Sequence, residues 1–280
     1  TAMYQKITES KGDKTMEQKL LFFDIDGTLI TEGTGRIPES TRKAIKMARE
    51  EGHLLFVNTG RTRTGLPEKV TSLDFDGYVC GCGTNIFLGD KELLSAKLSN
   101  ALCAEVAKTV RKYKVPVFYE ASDAIYFDYE IPDEDGWVGR AQKIFELQGR
   151  DIEEVIQGGE KVYDKLLTVL KPTRENQELK EYLSRYFLCI DRGHDMYEVI
   201  QKDYSKATGI FFLCKYLGKS IEDCYVFGDS ENDRSMLEAV PHSIAMGNGE
   251  EAIKACCSYV TKDIEEDGIY AAMEHFGLIK

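Results

Sequence analysis

Residues Leu20–Ile30 read LLFFDIDGTLI: four apolar residues run straight into two aspartates one position apart, and a glycine follows. A continuous apolar run of that length fits a strand buried on both faces, the kind found in parallel sheets. Burying a carboxylate costs several kcal/mol unless a partner compensates it. In open parallel sheets, ligands collect outside the carboxyl ends of the strands, which is where Asp24 and Asp26 stand. A calcium loop of the EF-hand type is excluded. Its fifth, sixth and twelfth positions would be Thr28, Leu29 and Gly35, and a strand rather than a helix precedes it.

The segments after it alternate. The apolar pattern predicts a helix over Ser40–Glu51, a buried strand over Leu54–Val57, a third strand at Tyr78–Cys80 and a hairpin over Asn85–Ser95 that turns at Gly89 and Asp90. Strand, helix and strand with uninterrupted apolar strands imply a parallel sheet covered on both faces. The middle of the chain changes texture. Helices are predicted at Ala101–Tyr113, Val138–Leu147 and Arg174–Tyr186. Strands are predicted at Val115–Tyr119, Ala124–Tyr129, Lys165–Leu170 and Phe187–Ile190. The first texture then returns, from the strand Met196–Ile200 and the helix Ser205–Leu217 to a last helix at Asp267–Phe276. The fold class is therefore α/β: a Rossmann-like, doubly wound parallel sheet core with an inserted α+β domain.

A second acidic cluster repeats the grammar of the first. Cys224–Asp233 reads CYVFGDSEND, an apolar strand, a glycine, then Asp229, Asn232 and Asp233. Two strand ends far apart in sequence each deliver hard oxygen ligands. Adjacent in a parallel sheet, they would hold one octahedral Mg²⁺ with room for waters and a phosphate. A third strand end, LLFVNTGRT over Leu54–Thr62, offers the Thr59 hydroxyl and the unobstructed Gly60 N–H to phosphate oxygens. Lys206 falls in the first turn of a helix, where the positive helix terminus disfavours a cation unless a carboxylate or phosphate lies nearby. Lys202 competes with it but lies on the extended segment before the helix.

With 36 basic against 48 acidic residues the net charge is -12, which argues against a nucleic-acid or membrane-surface partner. No apolar run approaches the ~20 residues that span a bilayer. The amino-terminal stretch, with Met3 and Met16 as candidate native starts, has no apolar signal core. A cytoplasmic protein is expected. The eight cysteines form no CxxC pair, and Cys80 and Cys82 lack further ligands nearby for zinc, so reduced core thiols are expected.

The order of these pieces, DIDGT, NTGR, SK opening a helix and GDSEND, resembles the four motifs of the haloacid dehalogenase (HAD) superfamily of phosphatases. The tail Ser243–Ile269 is similar to the Cof-type sugar-phosphate phosphatases. The resemblance covers most of the chain from Lys19 onward and is weak in the insert. The changes of texture put a tail at 1–18, a core at 19–85 and 198–280 and the insert at 86–197, and the resemblance implies that this insert is an α/β cap domain. It implies that Asp24 is the nucleophile forming an aspartyl phosphate, and that Asp26 protonates the leaving oxygen and then activates water. The metal ligands would be the Asp24 carboxylate, the Asp26 backbone carbonyl and Asp229, with Asp233 acting behind them or through a water. Thr59, Gly60 and Asn232 would bind phosphoryl oxygens, and Lys206 would neutralise charge on nucleophile and phosphate. Asn58 stands where the family varies, Gly249 where Ala is commoner, and Arg61 would either reach substrate or pin its loop.

The expected function is Mg²⁺-dependent hydrolysis of a small phosphorylated metabolite of the sugar-phosphate kind. The rivals are a phosphomutase or phosphotransferase using the same aspartyl phosphate, and a non-catalytic phosphometabolite-binding protein. The intact set Asp24, Asp26, Lys206 and Asp229 speaks against the last. Tyr126, Trp137, Arg140 and His194 are the polar and aromatic candidates in the cap segments, each readable also as a structural or merely exposed residue.

Overall fold

The structure, a computed structural model, describes residues 17–132, 136–144 and 149–280. Two sheets organise it. The first contains β1 (Leu20–Phe23), β2 (Leu54–Asn58), β3 (Gly77–Cys80), β4 (Asn85–Leu88) and β5 (Lys91–Ser95), then β12 (Cys224–Gly228), β13 (His242–Ala245) and β14 (Tyr259–Val260). Their order is β14-β13-β12-β1-β2-β3-β4-β5, parallel from β14 to β3 and antiparallel through the terminal hairpin.

The uninterrupted apolar strands are explained by helices on both faces. Leu21, Phe23, Leu55, Val57 and Phe227 pack on α1 (Glu39–Glu50) and α10 (Gly268–His275) through Ala44, Ile45, Ile269 and Met273. Leu20, Phe22, Phe56 and Val226 face the other way, onto α7 (Lys206–Leu217) and α8 (Arg234–Ala239) through Ile210, Leu213, Met236 and Leu237. Alternate residues along each strand thus serve opposite layers.

The second sheet has the order β10-β11-β9-β6-β7-β8. Its strands are β6 (Val117–Glu120), β7 (Ile125–Phe127), β8 (Gly149–Asp151), β9 (Lys165–Val169), β10 (Phe187–Asp191) and β11 (Met196–Gln201). α3 (Asn100–Tyr113) and α6 (Arg174–Leu183) cover one face with Val106, Val110, Leu179 and Leu183 against Val117, Tyr119, Tyr126 and Leu166. The opposite face carries Phe118, Ile125, Phe127 and Leu167 beside the charged Glu120, Lys165 and Glu198.

The expected division at 86 and 197 falls inside β4 and β11. Hydrogen bonding keeps the hairpin of β4 and β5 with the first sheet and all of β11 with the second. The hairpin breaks the parallel pattern, so its texture in the sequence resembles that of the insert. After β12 the chain forms a 3₁₀ turn at Glu231–Asp233 that leads directly into α8, and after β13 the short helix α9 (Glu251–Lys254). The helix expected to Leu147 is α4 (Trp137–Ile144), its last expected residues lying outside the described ones. Three short elements escape the periodicity: α2 (Glu68–Thr71), α5 (Glu153–Ile156) and β8. Three or four residues are too few to show a period.

Candidate active site

Strand register builds the site. Phe23 pairs with Phe227 on one side and Val57 on the other, so the residues after all three strands emerge together. The Asp24 N–H donates to the Phe227 carbonyl at 3.0 Å, which continues the ladder one residue past β1 and fixes the first carboxylate. Gly27 follows with φ +83°, and a side chain there would place its Cβ 2.3 Å from Asp229 Oδ2. Only glycine lets the first acidic loop turn that close under the second.

Asp24, Asp229 and Asp233 are buried, with carboxylate oxygens within 4.8 Å of one another. Lys206 lies in the first turn of α7, behind an N-cap made by Ser205. Its ammonium donates to Asp24 Oδ1 at 2.6 Å and to Asp233 Oδ1 at 2.5 Å. This resolves the apparent misplacement of a cation at a helix start: the two carboxylates hold it there. Burial opposes its charge, but Asp233 and then Asp24 raise its pKa.

Asp233 Oδ2 accepts the N–H groups of Asp229 and Ser230 at 2.9 and 3.2 Å. Both oxygens of Asp233 are thus engaged by the chain's own donors, whereas among the described residues the side-chain donor to Asp229 is the Thr28 hydroxyl, at 2.8 Å on Oδ1. Three carboxylates against one ammonium leave an excess of negative charge. Burial, and then Asp233, push the Asp24 carboxyl up to about 7 and that of Asp229 up to about 9. An all-oxygen, anion-rich, buried donor set fits a hard divalent cation held by Asp24 and Asp229.

Asp26 is separate from that cluster. Its half-exposed carboxylate takes a two-pronged ion pair from Arg61, Nε to Oδ2 at 2.8 Å and NH2 to Oδ1 at 2.7 Å. Burial works to raise its pKa, and the Arg61 bonds and charge override this and lower it. Arg61 also donates to the Gly65 carbonyl at 3.1 Å, so it pins its loop and grips the acid at once.

Thr59 is buried at the end of β2, and its hydroxyl oxygen accepts the Arg61 N–H at 3.1 Å. Asn232 Nδ2 donates to Glu198 Oε2 at 3.3 Å, and its Oδ1 accepts the Ser230 hydroxyl at 3.1 Å. Asn58 donates to the Lys206 carbonyl at 3.0 Å, tying the end of β2 to the start of α7. Sequence reasoning gave it no role because a lone amide at a strand end carries no pattern.

Of the cap candidates, Tyr126 is in the apolar interior among Tyr119 and Tyr163, and Trp137 stacks on Phe118 with ring centroids 4.5 Å apart. Arg140 and His194 are exposed. The residues of the second sheet and its loops that reach the strand ends are instead Lys165, Arg192 and Glu198. Isolated charges in an amphipathic sheet gave no signal for them.

A family model for haloacid dehalogenase-like hydrolases matches residues 21–273. The chain belongs to the haloacid dehalogenase-like hydrolases. Within them it is of the Cof type, a phosphatase by family. It is 28% identical to the Bacillus subtilis protein YkrA over 95% of this chain and all of that one. It is 28% identical to YwtE of the same organism, named a 5-amino-6-(5-phospho-D-ribitylamino)uracil phosphatase, over 90% of this chain and 95% of that one. Among solved structures it resembles the HAD subclass IIB sugar phosphatase BT4131 with a TM-score of 0.80 and 29% identity, covering 94% of this chain and 100% of that one. No helix among the described residues of this hydrolase is long and apolar enough to cross a membrane.

Proposed function

We propose that this phosphatase uses Mg²⁺ to hydrolyse a small phosphorylated metabolite of the sugar-phosphate kind, through an aspartyl phosphate on Asp24. The observation that carries the reading is the meeting of Asp24, Lys206 and Asp229 at the ends of adjacent parallel strands, beside Thr59 and Gly60. The names of its relatives, a sugar phosphatase and a ribitylaminouracil-phosphate phosphatase, support the substrate class.

Asp24 attacks phosphorus; Lys206 holds its carboxylate in place and opposes the charge of the incoming phosphoryl group. Thr59, Gly60 and Asn232 bind the phosphoryl oxygens. Asp26 gives a proton to the leaving oxygen and later takes one from the water that opens the acyl phosphate. To do so it must exchange part of its Arg61 contact for the ester oxygen. Asp24 and Asp229, with the Asp26 carbonyl, would hold Mg²⁺, which when bound neutralises charge on the phosphoryl group. The six-stranded sheet and its helices serve as a cap, entered after Ser95 and left after Gln201. The eight free thiols fit a reducing, cytoplasmic setting.

The test is a panel of phosphate monoesters, reading free phosphate with and without chelator. Release that stops in chelator and returns with added Mg²⁺ is expected. No release from any ester, or full turnover in chelator, overturns the reading.

A further inference from the structure

A buried acid in the second sheet sits against the strand ends of the first, and nothing in the proposed chemistry uses it. Glu198 on β11 and Lys165 on β9 form an ion pair with both side chains only 3% exposed. Glu120 Oε1 flanks the same ammonium at 3.4 Å. Arg192, just past β10, donates to Glu198 Oε2 at 3.1 Å. Burying such charges gains little stability over a well-packed apolar set, whereas losing one partner is costly. What the arrangement supplies is fixed direction.

Two sets of contacts lead from it to the phosphate donors. Lys165 donates to the Gly60 carbonyl at 2.9 Å and so holds the peptide between Gly60 and Arg61. The N–H of that peptide donates to Thr59 Oγ1, leaving the Thr59 hydroxyl hydrogen as a donor to a ligand. On the other side, Glu198 accepts from Asn232 Nδ2 while Ser230, itself contacted by Arg192 at 3.4 Å, donates to Asn232 Oδ1. These partners select one of the two amide orientations and leave one N–H for a phosphoryl oxygen. The approach is close enough that a Cβ on residue 60 would stand 2.3 Å from Glu198 Oε1. The bare Cα of Gly60 therefore serves the cap as well as the ligand.

We propose that Glu198, held by Lys165 and Arg192, is the positioning residue of the phosphate subsite: it orients the Asn232 amide directly and the Thr59–Gly60 turn through Lys165. This rests on the reading of that subsite given above. Because what it sets is the phosphate end, it acts alike on every ester, whatever the leaving group.

The experiment combines Glu198→Gln with Asn232→Ala and reads two quantities: kcat/KM for several esters, and inhibition by orthovanadate, a phosphate mimic with no leaving group. Loss of a supporting partner of this kind costs about 10–100-fold, and Glu198→Gln is expected to lower kcat/KM by one common factor in that range and to weaken orthovanadate inhibition similarly. In the Asn232→Ala background the same change should cost several-fold less, since coupled residues are non-additive. Arg192→Gln leaves the buried Glu198–Lys165 pair in place but removes the guanidinium that holds Glu198 Oε2, and it should show the same non-additivity with Asn232→Ala; it decides the question if Glu198→Gln does not fold. Additive effects, unchanged orthovanadate inhibition, or factors that differ between esters overturn the proposal. A wild-type protein that hydrolyses esters yet gives one of those results refutes this inference alone. A wild type that neither releases phosphate nor binds orthovanadate refutes the phosphatase reading as well.

Discussion

Lys206 Nζ donates to Asp24 Oδ1 at 2.6 Å, with both side chains out of water, and the same ammonium reaches Asp233. One cation thus joins the end of β1 to the loop after β12. Lys206→Met keeps the volume and leaves two buried carboxylates unpaired. Breaking a buried pair by removing one partner costs about 3–5 kcal/mol, and that loss is expected in urea denaturation at neutral pH without metal. Removing a donor aimed at developing charge costs about 10²–10³ in kcat. The fall should be the same for each ester tested; a fall confined to some esters would place Lys206 at the leaving group instead.

Metal binding should be linked to pH. In the metal-free protein the Asp24 carboxyl is pushed up to about 7 and that of Asp229 to about 9, both first by burial. Between about pH 4, where such carboxyls titrate in the unfolded chain, and these values, the folded state holds protons that the unfolded state has lost. The contribution of these two groups to stability therefore falls as pH rises through that window. A cation that replaces the protons removes the penalty, so the rise in Tm caused by Mg²⁺ should grow with pH across the window. Calorimetry at several pH values checks this. A Tm rise that is flat or shrinks with pH would contradict a cation site at Asp24 and Asp229.

In the proposed mechanism Asp26 is the acid, and Arg61 sets its pKa. Burial raises the Asp26 carboxyl, and the guanidinium overrides it and holds it low. Arg61→Gln should raise that pKa, keep Asp26 protonated to higher pH and move the base-side limb of the kcat/KM profile upward. Asp26→Asn should slow turnover by about 10²-fold or more, the lower weight of a general acid. A limb that stays in place in Arg61→Gln would remove Asp26 from the acid role.

Far from the site, His53 ties the start of β1 to the carboxyl terminus. Its Nδ1 accepts the Lys19 N–H at 3.1 Å, which leaves Nε2 to donate to the Leu278 carbonyl, also at 3.1 Å. Only the neutral ring can do both, and burial lowers its pKa, with the Leu278 bond opposing in part. A lowered folded pKa means its stabilisation is complete above about 6.5, the ordinary histidine value, and is lost as pH falls through the folded value. His53→Gln should abolish that part of the acid-side slope. Equal pH slopes in variant and wild type would show that the ring is not titrating on unfolding.

The first sheet was legible because its strands are apolar without interruption and each ends in polar residues of a distinct kind. Asp24, Asp229 and Lys206 could be picked out because each violates a local rule: an acid ending a buried strand, or a cation at a helix start. The boundary at 86 puts the hairpin of β4 and β5 with the insert, whereas it pairs with the first sheet, since alternation says that a strand is half-buried and not which sheet it joins. Lys165, Arg192 and Glu198 were hidden for a related reason. Each is ordinary in its own segment, and only the approach of the two sheets makes it a neighbour of Gly60, Ser230 or Asn232. Tyr126 shows the converse: an aromatic hydroxyl that looks available in sequence lies buried in the apolar interior.

The central claim is that Asp24 carries the phosphoryl group. Rapid acid quench of the protein turning over a phosphate ester with Mg²⁺, followed by peptide mass spectrometry, tests it most directly. The account expects a phosphoryl group on the peptide containing Asp24, and neither that species nor turnover in Asp24→Asn, whose fold is retained. Phosphoryl label on another residue, or sustained turnover by Asp24→Asn, would contradict it.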